Sequence, residues 1–100
     1  MLRHIVIWTL KDEALGNPAA KNALLIKEKL EGLFGKIPEI LSIQVQSNCL
    51  DGAGNGDVVL ICDFESAETL KAYQKNPLHV EVAEFVRSVN SGRSSIDFEF

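Results

Sequence analysis

The stretch YQKNPLHVEVAEFV, Tyr73 to Val86, brings a phenol and an imidazole to one apolar helix face across a single Asn76-Pro77 break. Before the break, Leu70 and Tyr73 share a face at helical spacing. After it, His79, Val82, Ala83 and Val86 recur at i, i+3, i+4 and i+7. His79 therefore points where the core residues point. A histidine on an inward stripe is either a core residue with its hydrogen bonds satisfied or a member of a site, and its surroundings have to decide which. Asn76 precedes proline, which disfavours the helical region and ends the first helical piece there.

Upstream, Ser66 is a helix cap and Glu68 suits the first turn of a short helix reaching Lys75. Downstream, a second helical piece covers roughly Leu78 to Val89, with Gly92 expected to close it. A last strand, Arg93 to Phe100, alternates Ile96, Phe98 and Phe100 with Asp97 and Glu99. The first strand, Arg3 to Leu10, is apolar on both parities: His4, Val6, Trp8 and Leu10 on one face, Ile5 and Ile7 on the other. After the polar connection Lys11 to Gly16, Asn17 and Pro18 read as N-cap and first-turn proline of a helix. Its inward stripe is Ala23, Ile26, Leu30, Leu33 and Ile37, and Gly35 is the expected terminator. Leu24 falls nearly opposite that stripe. Ile40 to Gln46 reads as an edge strand with Gln44 and Gln46 on its polar side. The loop DGAGNGD, Asp51 to Asp57, joins it to a near-continuous apolar strand, Val58 to Phe64. That glycine-rich loop precedes a strand, so no helix N-terminus backs it for phosphate binding.

The order is β-α-β-β-α-β with a broken second helix, the split pattern of an α+β, ferredoxin-like fold built on a four-stranded antiparallel sheet. In that topology the first and third strands are central and the second and fourth are edges. The edges are expected to turn Gln44, Gln46, Asp97 and Glu99 away from the helices. Ile5, Ile7, Val59 and Ile61 then form an apolar face that the helices do not cover, and a second copy of the chain is the simplest cover. A homodimer packed sheet against sheet follows.

One hundred residues, 46% hydrophobic and 24% charged, fit one domain spanning residues 1–100. A net charge of −4 with no Lys/Arg stripe gives no electrostatic reason to expect nucleic acid or an anionic membrane as partner. Cys49 and Cys62 form no short-spaced ligand motif and read as free thiols in a reducing cytoplasm. The opening apolar run is too short and too soon interrupted by charge to be a signal peptide or a membrane span, so a soluble cytoplasmic protein is expected.

His4, Val6 and Trp8 face the helices, on the side of Tyr73 and His79. These polar groups either satisfy one another or line a pocket. The apolar walls available are Val6, Trp8, Ile26, Leu30, Leu60 and Val82, which suit an aromatic or acyl ligand more than a charged one. His79 has the chemistry of a general base, Tyr73 that of a donor to a developing enolate or oxyanion, and His4 that of an orienting group or second donor. No nucleophile stands out, and two histidines with no carboxylate clearly beside them do not make a metal site.

The opening RHIVIWTLKDE and the segment FESAETLKAYQKNPLHVEVAEFV, in this order of elements, resemble the stress-responsive dimeric α/β-barrel family, called Dabb. The likeness spans nearly the whole chain. It implies a ferredoxin-like protomer whose sheet packs on its mate as a dimeric α/β barrel. One branch, the plant polyketide cyclases, closes a linear poly-β-keto thioester by intramolecular aldol chemistry without a cofactor. The acid/base positions of that branch match His4, Tyr73 and His79, the first-helix aromatics do not, and Ile26 and Leu30 stand in their place. The resemblance therefore implies cofactor-free cyclase, lyase or isomerase chemistry on a hydrophobic or aromatic small molecule. Two alternatives stand beside it: a stress-associated binding or structural protein in which the three residues form a buried network, and, by fold analogy, a cofactor-independent monooxygenase.

Overall fold

In the computed structural model, which describes residues 1–100, the main elements are β1 (Leu2–Leu10), α1 (Ala19–Glu31), β2 (Ser42–Ser47), β3 (Val58–Phe64), α2 (Ala67–Lys75), α3 (Pro77–Val89) and β4 (Asn90–Glu99). The four strands form one antiparallel sheet in the order β2-β3-β1-β4. The three helices cover one face of it, giving a ferredoxin-like α+β fold. No helix is long and apolar enough to cross a membrane.

Cross-strand partners share a face, so the register assigns every side chain. Val6 opposes Leu60 on one side and Ser95 on the other, while Ile5 opposes Ile61 and Ile96. The inner face thus carries His4, Val6, Trp8, Val58, Leu60, Cys62 and Phe64, all buried against Ile26, Leu30, Tyr73, Val86 and Val89 of the helices. Gln44 and Gln46 face away from the helices, beside Ile61 and Val59. The last strand does the opposite of what its composition predicts. Asp97 lies opposite His4 and Glu99 opposite Leu2, so both acids are on the helix side, and Ile96 and Phe98 are on the outer side. The shift in register between Thr9 and Leu10 sets this phase. This edge strand is exposed from Arg93 to Glu99, so polar residues are tolerated on its inner side.

Several local boundaries also differ from expectation. Asn17 does not cap α1: it pairs with Ala14 in a two-residue hairpin whose turn, Leu15-Gly16, has φ of 54° and 78°. Pro18 is the residue before the helix and contributes no side-chain cap. Buried Asn22 instead donates to the Ala14 carbonyl at 3.1 Å, tying the hairpin to α1. The helix stops at Gly32, not Gly35, because the Leu33 N–H bonds back to Leu30 and tightens the last turn. Gly92 closes no helix, since α3 passes into β4 at Asn90 without an intervening loop, and Gly92 is a strand residue opposite Thr9.

The helical break behaves as its chemistry dictates. Ser66 and Thr69 form a reciprocal capping box at the start of α2. At its end, the Asn76 N–H donates to the Tyr73 carbonyl, and the Asn76 side chain accepts from the Leu78 N–H to start α3. One residue is therefore both the C-cap of α2 and the N-cap of α3.

The outer face holds Ile5, Ile7, Val59, Ile61, Ile96 and Phe98, with Ile7 42% and Ile96 59% exposed. At one end Arg3 and Asp63 form a two-pronged ion pair at 2.8 and 2.9 Å, and the Ser42 hydroxyl donates to Asp63 at 3.0 Å. The Arg3 guanidinium also lies 4.7 Å from the centre of the Phe100 ring. At the opposite end, Gly56 sits so close to Ile7 that a Cβ there would fall 2.3 Å from the Ile7 Cγ2. A side chain at 56 would displace Ile7, which explains the glycine.

Candidate functional site

Helix α3 and the inner face of the sheet do not close completely on one another. Between them lies a cavity of about 270 Å³, just below the range of roughly 300–1,000 Å³ common for small-molecule sites. Its floor is His4, Val6 and Trp8 of β1, Leu60 of β3 and Leu30 of α1. Its roof is a stripe of α3, namely His79, Ala83, Val86 and Arg87, at i, i+4, i+7 and i+8. Gln74, Asn90 and Arg93 complete the lining, and exposed Gln74, Arg87 and Arg93 form its mouth. Ala83 leaves room that a larger side chain on that stripe would occupy.

Of the three expected acid/base residues, His4 and His79 line this cavity and Tyr73 does not. Tyr73 is 0% exposed, its ring centre 4.9 Å from Phe64 and 4.3 Å from His79. It backs the imidazole from the core side. Its hydroxyl has no hydrogen-bond partner, and burial, with a smaller contribution from Cys62, pushes the phenol well above its ordinary pKa. The three side chains therefore do not form a mutual hydrogen-bond network. Among the expected apolar walls, Val6, Trp8, Leu30 and Leu60 reach the cavity. Ile26 is sealed in the core at 0% exposure, and Val82, about 60° around α3 from His79, packs on the core instead.

Each imidazole has one nitrogen committed. His4 Nδ1 lies 2.5 Å from the Asp97 carboxylate; a carboxylate only accepts, so Nδ1 carries the proton and Nε2 is left for a ligand. His79 Nδ1 lies 3.2 Å from the Gln74 carbonyl, which likewise only accepts. This fixes the Nδ1–H tautomer in the neutral ring and leaves the Nε2 lone pair free. Burial lowers the His79 pKa, outweighing the Gln74 bond that raises it, with further lowering from His4 and Arg87. A half-buried imidazole that is neutral at pH 7, with a free lone pair beside an apolar cavity, is equipped to accept a proton.

Other chemistries fit the site poorly. The Cys62 thiol, on the inner face beside His4, is pushed up to about 12 by burial and then by the Asp63 charge, so it is no thiolate. No three His, Cys, Asp or Glu side chains gather where they could hold a metal ion. The residues that the sequence did not point to are Asp97, Gln74, Arg87, Asn90 and Arg93, while Ala83 and Val86 stood on the His79 stripe without being named as walls. The α3 members follow His79 at helical spacing. Asp97 and Arg93 depend on the register of β4, which no local pattern encodes.

Fold and cavity together define a ferredoxin-like α+β protein whose sheet and third helix enclose a small-molecule-sized space lined by two histidines. The chain belongs to the Dabb family, the stress responsive A/B barrel domain, whose match covers residues 2–100. No curated protein matches it in sequence. Among solved structures, a dimeric ferredoxin-like protein of unknown function from Thermobifida fusca is 21% identical, with a TM-score of 0.84 over 99% of this chain and 90% of that one. A dimeric protein of unknown function and ferredoxin-like fold from Bacteroides fragilis is 24% identical, with a TM-score of 0.78 over 99% and 95%. The hydroxynitrile lyase from Passiflora edulis is 19% identical, with a TM-score of 0.79 over 97% and 90%. At these identities the likeness is one of fold.

Proposed function

We propose that the protein is a homodimer, packed sheet against sheet, in which each protomer binds a small, largely apolar molecule and performs proton transfer on it without a cofactor. His79 is the general base through Nε2. His4, with its Nδ1–H on Asp97, donates from Nε2–H, as the doubly protonated ring beside that carboxylate, to the oxygen on which charge develops. Tyr73 acts from behind, as a positioning residue that fixes the plane of the His79 ring. The observation that carries this reading is the pair of imidazoles on one cavity, each with Nδ1 committed and Nε2 available. The dimer is supported by the outer face, where Ile5, Ile7, Val59 and Ile61 join Ile96 and Phe98 in one apolar surface. The dimeric state of the Thermobifida and Bacteroides proteins points the same way. Lyase or isomerase chemistry needs no more than this base and donor, and the fold is shared with a hydroxynitrile lyase.

The test is a ligand screen by amide chemical shift on the wild-type chain and on His79→Gln, alongside solution mass. A ligand that shifts Trp8, Ala83 and Val86 and undergoes proton exchange only with His79 intact supports the reading. A ligand bound equally by both chains, with no exchange catalysed by either, favours a non-enzymatic binding protein.

A further inference from the structure

The cavity mouth differs in charge from the rest of the molecule. The chain has 14 Asp and Glu against 10 Lys and Arg, yet the cavity lining holds two arginines and two histidines and no acid. Asp97, the carboxylate beside the lining residue His4, is taken up by that imidazole. The two guanidiniums come from different elements. Arg87 lies two helical turns beyond His79 on α3. Arg93 lies opposite Trp8 on β4, which puts it on the inner face. Neither has an acidic partner, since the ion pairs of the chain are Arg3–Asp63, His4–Asp97 and Lys27–Glu31. The only side-chain bond of Arg93 is a long one, 3.4 Å, to the Ser95 hydroxyl. Two unpaired guanidiniums at the rim of an apolar hole are arranged to receive a planar oxyanion whose remainder goes inward.

We propose that the ligand of this cavity is a monocarboxylate with an apolar body no larger than a single ring or short acyl chain, its carboxylate held at the mouth by Arg87 and Arg93. The proposal rests on the reading of the cavity as the ligand site and supplies its substrate class. The body lies on Trp8, Val6 and Leu60, which places its inner carbons under His79. The enclosed volume of about 270 Å³ matches a single ring or short acyl chain better than a long acyl chain or a nucleotide. The sequence suggested walls suited to an uncharged ligand. The two arginines alter that by giving the ligand a charged end outside the apolar space and fixing which way round it enters.

Phenylacetate and its primary amide, phenylacetamide, test this as probes of nearly equal shape and different charge. Binding is followed by amide chemical shifts on the intact chain, on Arg87→Gln, on Arg93→Gln and on the double variant. All of these changes are at exposed positions. Phenylacetate is expected to bind wild type about tenfold more tightly than the amide, with each single Gln variant losing a few-fold and the double variant losing the whole preference. Lysine at both positions is expected to restore part of it. Equal binding of the two probes at Trp8 and Ala83 would overturn the carboxylate anchor and leave the cavity reading intact. If neither probe binds, or both shift residues elsewhere, the cavity reading falls and the anchor with it. Preference for phenyl phosphate over phenylacetate would overturn the choice of carboxylate.

Discussion

The two faces of this sheet are built from the same two central strands and have opposite characters. The inner face has side chains packed to near-complete burial except where α3 stands off and leaves a largely apolar hole bordered by two histidines. The outer face has branched aliphatics and Phe98 half-buried or exposed, with polar groups in the Arg3–Asp63–Ser42 cluster at one end and in Gln44 and Gln46 along the β2 edge. A covered face with a cavity under α3 and an open face with a shallow hollow beside Ile7 and Val59 are suited to different partners. The first fits a molecule smaller than a side-chain cluster, the second a surface of its own size and curvature. Alternating residues of β1 lie on both, so a one-residue slip of that strand would exchange the two faces and the roles proposed for them.

Substitutions on the two faces should therefore separate cleanly. The largest effect belongs to His79→Gln, which is expected to lower turnover of any carbon acid the cavity accepts by about 10²–10⁴-fold; dimer mass, measured by light scattering, should not change. Ile7→Asp should do the converse. It is expected to weaken the proposed dimer at least about 100-fold, roughly 3 kcal/mol, so that sedimentation reports the 11.0 kDa chain, while circular dichroism stays near wild type because Ile7 is 42% exposed in the protomer. A dimer that survives Ile7→Asp would break the proposed division between the faces.

The faces should also differ in the pH at which they lose stability. On the outer side, the hydrogen-bonded Arg3 guanidinium holds Asp63 below the usual carboxylate range, with Ser42 adding to it against the opposing effect of burial. The folded state therefore binds that proton less readily than the unfolded chain, and the stabilisation present above about pH 4 is lost as pH falls further. On the inner side, burial depresses His79, so below about pH 6.5 the unfolded chain takes up a proton that the folded chain refuses, and stability falls. Melting temperatures of Asp63→Asn and wild type should differ at pH 7 and converge below pH 4. His79→Gln should flatten the slope that sets in below about pH 6.5 and leave the lower one in place.

The smallest effect is expected at the residue that looked most chemical. Tyr73→Phe removes a buried hydroxyl without a partner, and the melting temperature should hold or rise, the equivalent of up to about 1 kcal/mol, with ligand affinity unchanged. Tyr73→Leu, which removes the ring beneath His79, should lower turnover and not just stability. A loss of turnover in Tyr73→Phe would show that the hydroxyl itself reaches the ligand.

Most of the fold could be read from periodicity because β1 and β3 are apolar on both parities and Pro77 can only begin a helix. The phase of β4 could not. Alternation of Ile96, Phe98 and Phe100 with Asp97 and Glu99 is consistent with either face turned inward, and only the pairing of His4 with Asp97 decides it. His4 and His79 were legible because imidazoles on inward stripes are uncommon. Arg87 and Arg93 were not, since a rim arginine and an ordinary solvated one have the same sequence signature. Tyr73 shared an inward stripe with Leu70, but a stripe shows that a residue is inside, not whether it borders a space or backs its wall.

Asn76 ends α2 and starts α3 with no residue to spare between them. Each residue of a helix turns the following ones by about 100°, so inserting or deleting a single residue at this joint would rotate the α3 stripe away from the cavity. His79 and Arg87 would turn together, because they share that helix, while His4 and Arg93 on the strands stayed where they are. The joint thus works as an indexing pin. It tolerates changes of side chain far better than changes of length, and natural variation in loop length should fall in the Asp51–Asp57 hairpin and not here.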